Sequence, residues 1–249
     1  MLRIKDAWIQ ATTAESMGDS KVLGELMHKL SRSIISFCLL IFAAIVVFAQ
    51  ANKDAVVTIN GGSRTLFLKP PSRILVPDAP LPAGIVTIYS DLGKGDQAYN
   101  PNAGVGIVGK DAGQPLPQWV GIAFTPQADH LVQAIRVGAT YVSGSNEMAL
   151  LLDADDNGVP GAMLHAWKLS DLPEFGSCCV LQTREYVTGV PVKAGVQYWV
   201  VLRTMPQGTD TYGVWDDNFK ETQGTWANDT GQGWHTSYQV LPAVGVYGQ

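Results

Sequence analysis

From residue 85 to residue 248 apolar residues come in short runs, often with a polar residue at every second position. Gly, Pro, Asn or Asp punctuates the gaps between them. Alternate side chains of a strand point to opposite faces, so this texture predicts half-buried β-strands joined by tight turns. Residues 131–142 alternate best. Leu131, Gln133, Ile135, Val137, Ala139 and Tyr141 fall on one face, with Val132, Ala134, Arg136, Gly138, Thr140 and Val142 on the other. One of these faces is expected to be core and the other partly wet. Further strands are predicted at 85–90, 119–125, 180–187, 197–203, 211–215 and 240–247. Tyr198-Trp-Val-Val-Leu202 is apolar on both faces, as a strand central to a sandwich would be.

The middle of the chain reads strand, acidic turn, strand. Glu147-Met-Ala-Leu-Leu-Leu-Asp153 and Ala162-Met-Leu-His-Ala-Trp167 flank a segment carrying Asn157-Gly158 and Pro160-Gly161. The apolar runs are too short for typical helices, so a hairpin or β-arch is expected there. No stretch after residue 52 sustains a helical period. Residues 85–249 are therefore expected to form one all-β domain, an antiparallel β-sandwich of jelly-roll type with about nine to eleven strands. Ahead of it, residues 52–84 predict a small hairpin turned at Asn60-Gly61. Pro70, Pro71, Pro77, Pro80 and Pro82 follow, too dense for a central strand and suited to a stiff linker.

Residues 1–51 differ in kind. Residues 34–48 are almost wholly apolar, Lys29 and Arg32 precede them, and Ala49-Gln-Ala51 closes the run with small residues. A positive start, an apolar stretch and a small-x-small site make a secretory signal peptide. The rival is a membrane anchor, but a spanning helix needs about 20 apolar residues, and this run is shorter. Cleavage after Ala51 is favoured, with translation expected to start at Met27 because residues 1–25 are too long and mixed in charge for a signal opening. The mature protein is then secreted, periplasmic or at the cell surface, without a stable membrane span.

Composition agrees with many turns and an extracellular life: 26 Gly, 14 Pro and only 16% charged residues. The net charge of −5 and the lack of a basic stripe argue against a nucleic-acid partner. Once the signal is removed, Cys178 and Cys179 are the remaining cysteines, side by side. An oxidising compartment leaves three states open: a vicinal disulfide, two buried thiols, or pairing with another chain. The vicinal bond is favoured. Two thiols alone make a poor metal site.

Phe124-Thr-Pro, Tyr141-Val-Ser-Gly-Ser-Asn146, Asp156-Asn-Gly-Val-Pro-Gly161, Leu172-Pro-Glu-Phe-Gly-Ser-Cys-Cys179, Ala194-Gly-Val-Gln-Tyr-Trp199, Gly233-Trp and Leu241-Pro-Ala are distinctive stretches of this region. Through them residues 86–248 show a resemblance to the choice-of-anchor R type of domain found in exported bacterial proteins. It implies an exported β-sandwich, often followed by a sorting or anchoring tail. The final residues, Tyr247-Gly-Gln249, depart from that pattern in forming no apolar tail. The family brings no defined activity with it.

Two constellations suggest chemistry. Asp153-Ala-Asp155-Asp156-Asn157-Gly158 matches the first half of an oxygen-rich calcium loop. The twelfth position, Leu164, offers no carboxylate, which excludes an EF-hand. A calcium site using Asp153, Asp155 and Asn157 with backbone carbonyls competes with a plain turn in which Asp and Asn cap their own backbone. The turn is favoured. Second, Tyr212, Trp215, Trp226, Trp234 and Tyr238 lie among Gly, Asn, Asp and Thr, and flat rings beside amides and carboxylates suit sugars. Trp226 and Trp234 are expected in loops. No nucleophile elbow, zinc-protease pair, phosphate loop or dinucleotide fingerprint is found, and His130, His165 and His235 are scattered. The expected function is a non-catalytic binding or adhesion module for extracellular or cell-wall carbohydrate. A structural surface protein and a secreted glycan hydrolase are the alternatives.

Overall fold

The computed structural model describes residues 55–59, 62–66, 81 and 83–249. The signal peptide, the start at Met27 and the proline-rich stretch fall outside the described residues. Asn52–Gln249 make up one unit.

Among the described residues there are fifteen strands and one short 3-10 turn. A five-stranded sheet joins β1 (Ala55–Ile59), β2 (Gly62–Leu66), β4 (Asn100–Val108), β7 (Ala139–Ser143) and β12 (Tyr212–Asp217) in the order β2-β1-β4-β12-β7. A four-stranded sheet joins β3 (Val86–Ser90), β6 (His130–Val137), β10 (Gln182–Val192) and β15 (Val244–Gly248) in the order β10-β6-β15-β3. The third, six-stranded, runs β14-β13-β5-β11-β8-β9. It comprises β5 (Trp119–Phe124), β8 (Glu147–Asp156), β9 (Val159–Ser170), β11 (Tyr198–Thr204), β13 (Gln223–Asp229) and β14 (Trp234–Val240).

The all-β sandwich expected from the pattern is the fold observed. One core fills the space between the six-stranded sheet and the other two. Ile122, Leu150, Leu152, Val200 and Leu202 enter it from one side, and Ile107, Ile135, Val137, Trp215 and Val246 from the other. Each buried aliphatic chain contributes about 1.5–3 kcal/mol by leaving water. The strand count exceeds nine to eleven for three reasons. Residues 100–108, not among the predicted strands, form β4. The run at 131–142 divides at Gly138, its first part joining the four-stranded sheet as β6 and its second the five-stranded sheet as β7. The polar segment 223–240, read as loops, is a regular hairpin of β13 and β14.

Two further expectations are corrected. Leu131 is 40% exposed while Val132 is fully buried in the core. The alternation slips at Gln133, where Tyr247 of β15 pairs with Ala134 but Gly248 pairs with Val132. The extra residue of such a bulge turns its neighbours to the opposite face. The N-terminal hairpin also forms, yet it is no separate lead. β1 pairs with β4 in parallel, the exception to antiparallel pairing between the strands of these sheets. Ala55, Val57 and Ile59 pack on Val108, Phe175 and Val214 in a second apolar cluster.

Candidate functional site

The face of the six-stranded sheet turned away from the core carries the chemistry. Ala149, Leu151, Trp199, Val201 and Ala227 form an apolar floor there, with Ala123, Met205 and Trp234 at its edges. The tip of the β8–β9 hairpin leans over part of this floor. A Cβ placed on Gly121 would meet Pro160 Cγ at 3.0 Å, and Trp199 Nε1 donates to Asp155 Oδ1 at 2.7 Å. Beyond the tip this face is partly exposed at Trp119, Arg203, Asp229 and Trp234.

Across that end strand register sets up a row of side chains. Trp119 pairs with Asp229, and Asp229 pairs with Trp234. The three residues therefore share one face, and the two indoles stand two strand spacings apart, about 9.6 Å at the backbone. The Arg203 guanidinium lies 5.7 Å from the centre of the Trp119 ring, a cation held against an aromatic face. Asp229 Oδ1 accepts from Gly231 N and Gly233 N at 2.7 and 3.0 Å, which fixes both the β13–β14 turn and the carboxylate itself. Beside Trp119 opens a cleft of about 430 Å³ walled by Lys110, Pro117, Arg203 and Met205. All four members of the row are partly exposed.

The acidic turn closes on itself. Asp156 pairs with Val159 around Asn157 and Gly158, both with positive φ, the two-residue turn favoured in hairpins. Asp155 Oδ1 receives Gln197 Nε2 and Trp199 Nε1, both at 2.7 Å, and Oδ2 receives Gly158 N at 3.0 Å. Burial pushes this carboxyl up, but the bonds from Trp199, Gly158 and Gln197 outweigh it and hold it below its ordinary value. Asn157 Nδ2 donates to Asp156 Oδ1. Asp153 stands apart on the sheet face, 6% exposed, its Oδ1 without a hydrogen bond. Burial raises its pKa to about 6 against the pull of Arg203. Among the described residues no three His, Cys, Asp or Glu side chains are placed to hold a metal ion.

The remaining residues singled out by sequence fall elsewhere. Trp215 and Trp226 are 0% and 4% exposed and belong to the central core, and Tyr212 belongs to the cluster under β1. Trp215 Nε1 donates to Ala243 O at 2.9 Å, and Trp226 Nε1 donates to Ser237 Oγ, so their polar edges are satisfied inside. These three rings offer no free face. Trp234 stays in the row, and Tyr238, 70% exposed, lies further along β14 on the same side. His165 stacks on Tyr186 at 4.1 Å and meets Trp167 edge-on at 4.4 Å, a structural contact between β9 and β10. Cys178 and Cys179 are bonded to each other and pack with Leu92, Tyr99 and Ala243.

Sequence reasoning passed over Trp119, Arg203, Asp229 and Lys110. A tryptophan just after Gln114-Pro-Leu-Pro-Gln118 stands at the first position of a strand, next to a proline-rich turn, where a ring is less often enclosed. That was the available signal. No family model, curated protein or solved structure matches the chain. Among the described residues no helix is long and apolar enough to cross a membrane.

Proposed function

We propose that this chain is an exported, non-catalytic β-sandwich module that binds saccharide chains of an extracellular or cell-wall polymer. The row Trp234–Asp229–Trp119 with Arg203 stacked at its end is the observation that carries the proposal. Two partly exposed indoles on a rigid sheet supply apolar faces for sugar rings. The carboxylate between them and the guanidinium beside them supply hydrogen bonds to hydroxyls. Strands hold these groups in place before ligand arrives, which lowers the entropic cost of binding. Export, and with it membership of the choice-of-anchor type, is part of the same proposal and draws support from the N-terminal apolar segment.

The test is a polysaccharide pull-down and glycan array on the intact protein, repeated with Trp119→Ala and Trp234→Ala. Binding to at least one polymer, weakened about tenfold or more by either variant, is the expected outcome. Failure to bind any glycan, or binding indifferent to both substitutions, overturns it. A purified chain that stays in the cytoplasm of its host would overturn the export half.

A further inference from the structure

We infer that the platform takes an acidic saccharide, one whose ring bears a carboxylate, and that Arg203 and Lys110 receive that group. The inference rests on the saccharide-binding proposal above and names the ligand class of that same site. The cleft next to Trp119 has two charged walls, Lys110 and Arg203, and both are cationic, in a chain whose net charge is −5. A local excess of positive charge against that background attracts anions. Arg203 Nε is buried without a hydrogen bond to the protein, so a ligand would meet the guanidinium through its Nη groups. A planar guanidinium held against an indole is already oriented for the forked, two-bond pairing that carboxylates accept.

Of the two acids of this face, Asp153 is buried and Asp229 is placed to orient such a ligand. Asp153 acts on Arg203 from within the sheet face, where it is 6% exposed. Asp229 lies on the opposite side of Trp119 from Arg203, across the β5–β13 pairing. A sugar stacked on Trp119 would thus point its carboxylate into the cationic cleft and its hydroxyls toward Asp229. At about 430 Å³ the cleft has room for one ring with its substituent.

Polygalacturonate, the fully methyl-esterified form of the same polymer, neutral galactan and dextran sulfate form the probe set, each titrated onto the intact protein at moderate salt. The acid form is expected to bind about tenfold more tightly than its ester. Lys110→Gln, at an exposed rim position, is expected to shrink that ratio about threefold, and Arg203→Gln to bring it near one. Equal binding of acid and ester, both lost in Trp119→Ala, overturns the acidic preference and leaves the platform standing. Dextran sulfate binding that matches polygalacturonate and survives Trp119→Ala means unspecific charge attraction and overturns it too. If none of the four polymers nor any arrayed glycan binds, the platform itself falls.

Discussion

The ring of Tyr99 lies on the backbone of Gly138: a Cβ on that glycine would stand 2.8 Å from the ring. Gly138 is the point at which one run of chain leaves the four-stranded sheet and enters the five-stranded one. Tyr99 is fully buried there, its hydroxyl donating to Ser177 O and accepting from Val180 N, each at 3.1 Å. The contact binds the crossing to the disulfide-bearing loop. Gly138→Ala is expected to cost about 1–3 kcal/mol, the usual penalty for forcing a side chain into filled space. A urea midpoint equal to that of the parent protein would refute it.

Truncating Trp226 to alanine should cost about 3–5 kcal/mol, because its ring fills the central core. Tyr238→Ala should change stability by no more than about 0.5 kcal/mol, as expected at an exposed position. The two residues were indistinguishable as candidates in the sequence. Equilibrium denaturation of the pair separates them.

Stability should fall as pH rises from about 5 to 8. Burial lifts Asp91 and Asp217 to about 7 and Asp216 well above its ordinary value. Val244 N–H and Lys220 oppose the shift at Asp91, and the Thr140 hydroxyl opposes it at Asp216 without reversing it. The folded chain therefore keeps protons that the unfolded chain releases near pH 3.8. The contribution of these three carboxyls to stability is complete below that pH and is lost as pH rises through about 7. Asp216→Asn should flatten the profile. A melting temperature that climbs between pH 5 and 8 contradicts the prediction.

Calcium should leave the melting temperature unchanged, because Asp155 spends both oxygens on Gln197, Trp199 and the turn backbone. Asp155→Ala should cost about 1–3 kcal/mol, leaving Trp199 Nε1 without its acceptor. A melt raised by calcium and lowered by chelator would revive the metal site, as mass action requires.

Intact mass of the purified protein should increase by two hydrogen atoms on reduction, since Cys178 and Cys179 are joined to each other. An unchanged mass would mean free thiols.

Much of the fold was legible because alternation is local: Val137 and Ala139 declare their face through their immediate neighbours. Gln133 shows the limit. Nothing in residues 131–142 announces a bulge whose cause is the register of β15, a strand more than a hundred positions later. The site was less legible still. Trp215 sits before Asp216-Asp217, a polar context that suggests surface, yet Asp216 is itself fully buried against Thr140. Trp119, Asp229 and Trp234 become neighbours through strand register, which the spacing of residues along one chain does not encode.

The parallel seating of β1 beside β4 has a practical edge. A shortened protein begun at Ile85, where the alternating texture sets in, would peel that strand away and bare a row of unsatisfied amides and carbonyls along β4. Such a fragment would be sticky toward its own copies, and whoever trims this chain should cut near Asn52 instead.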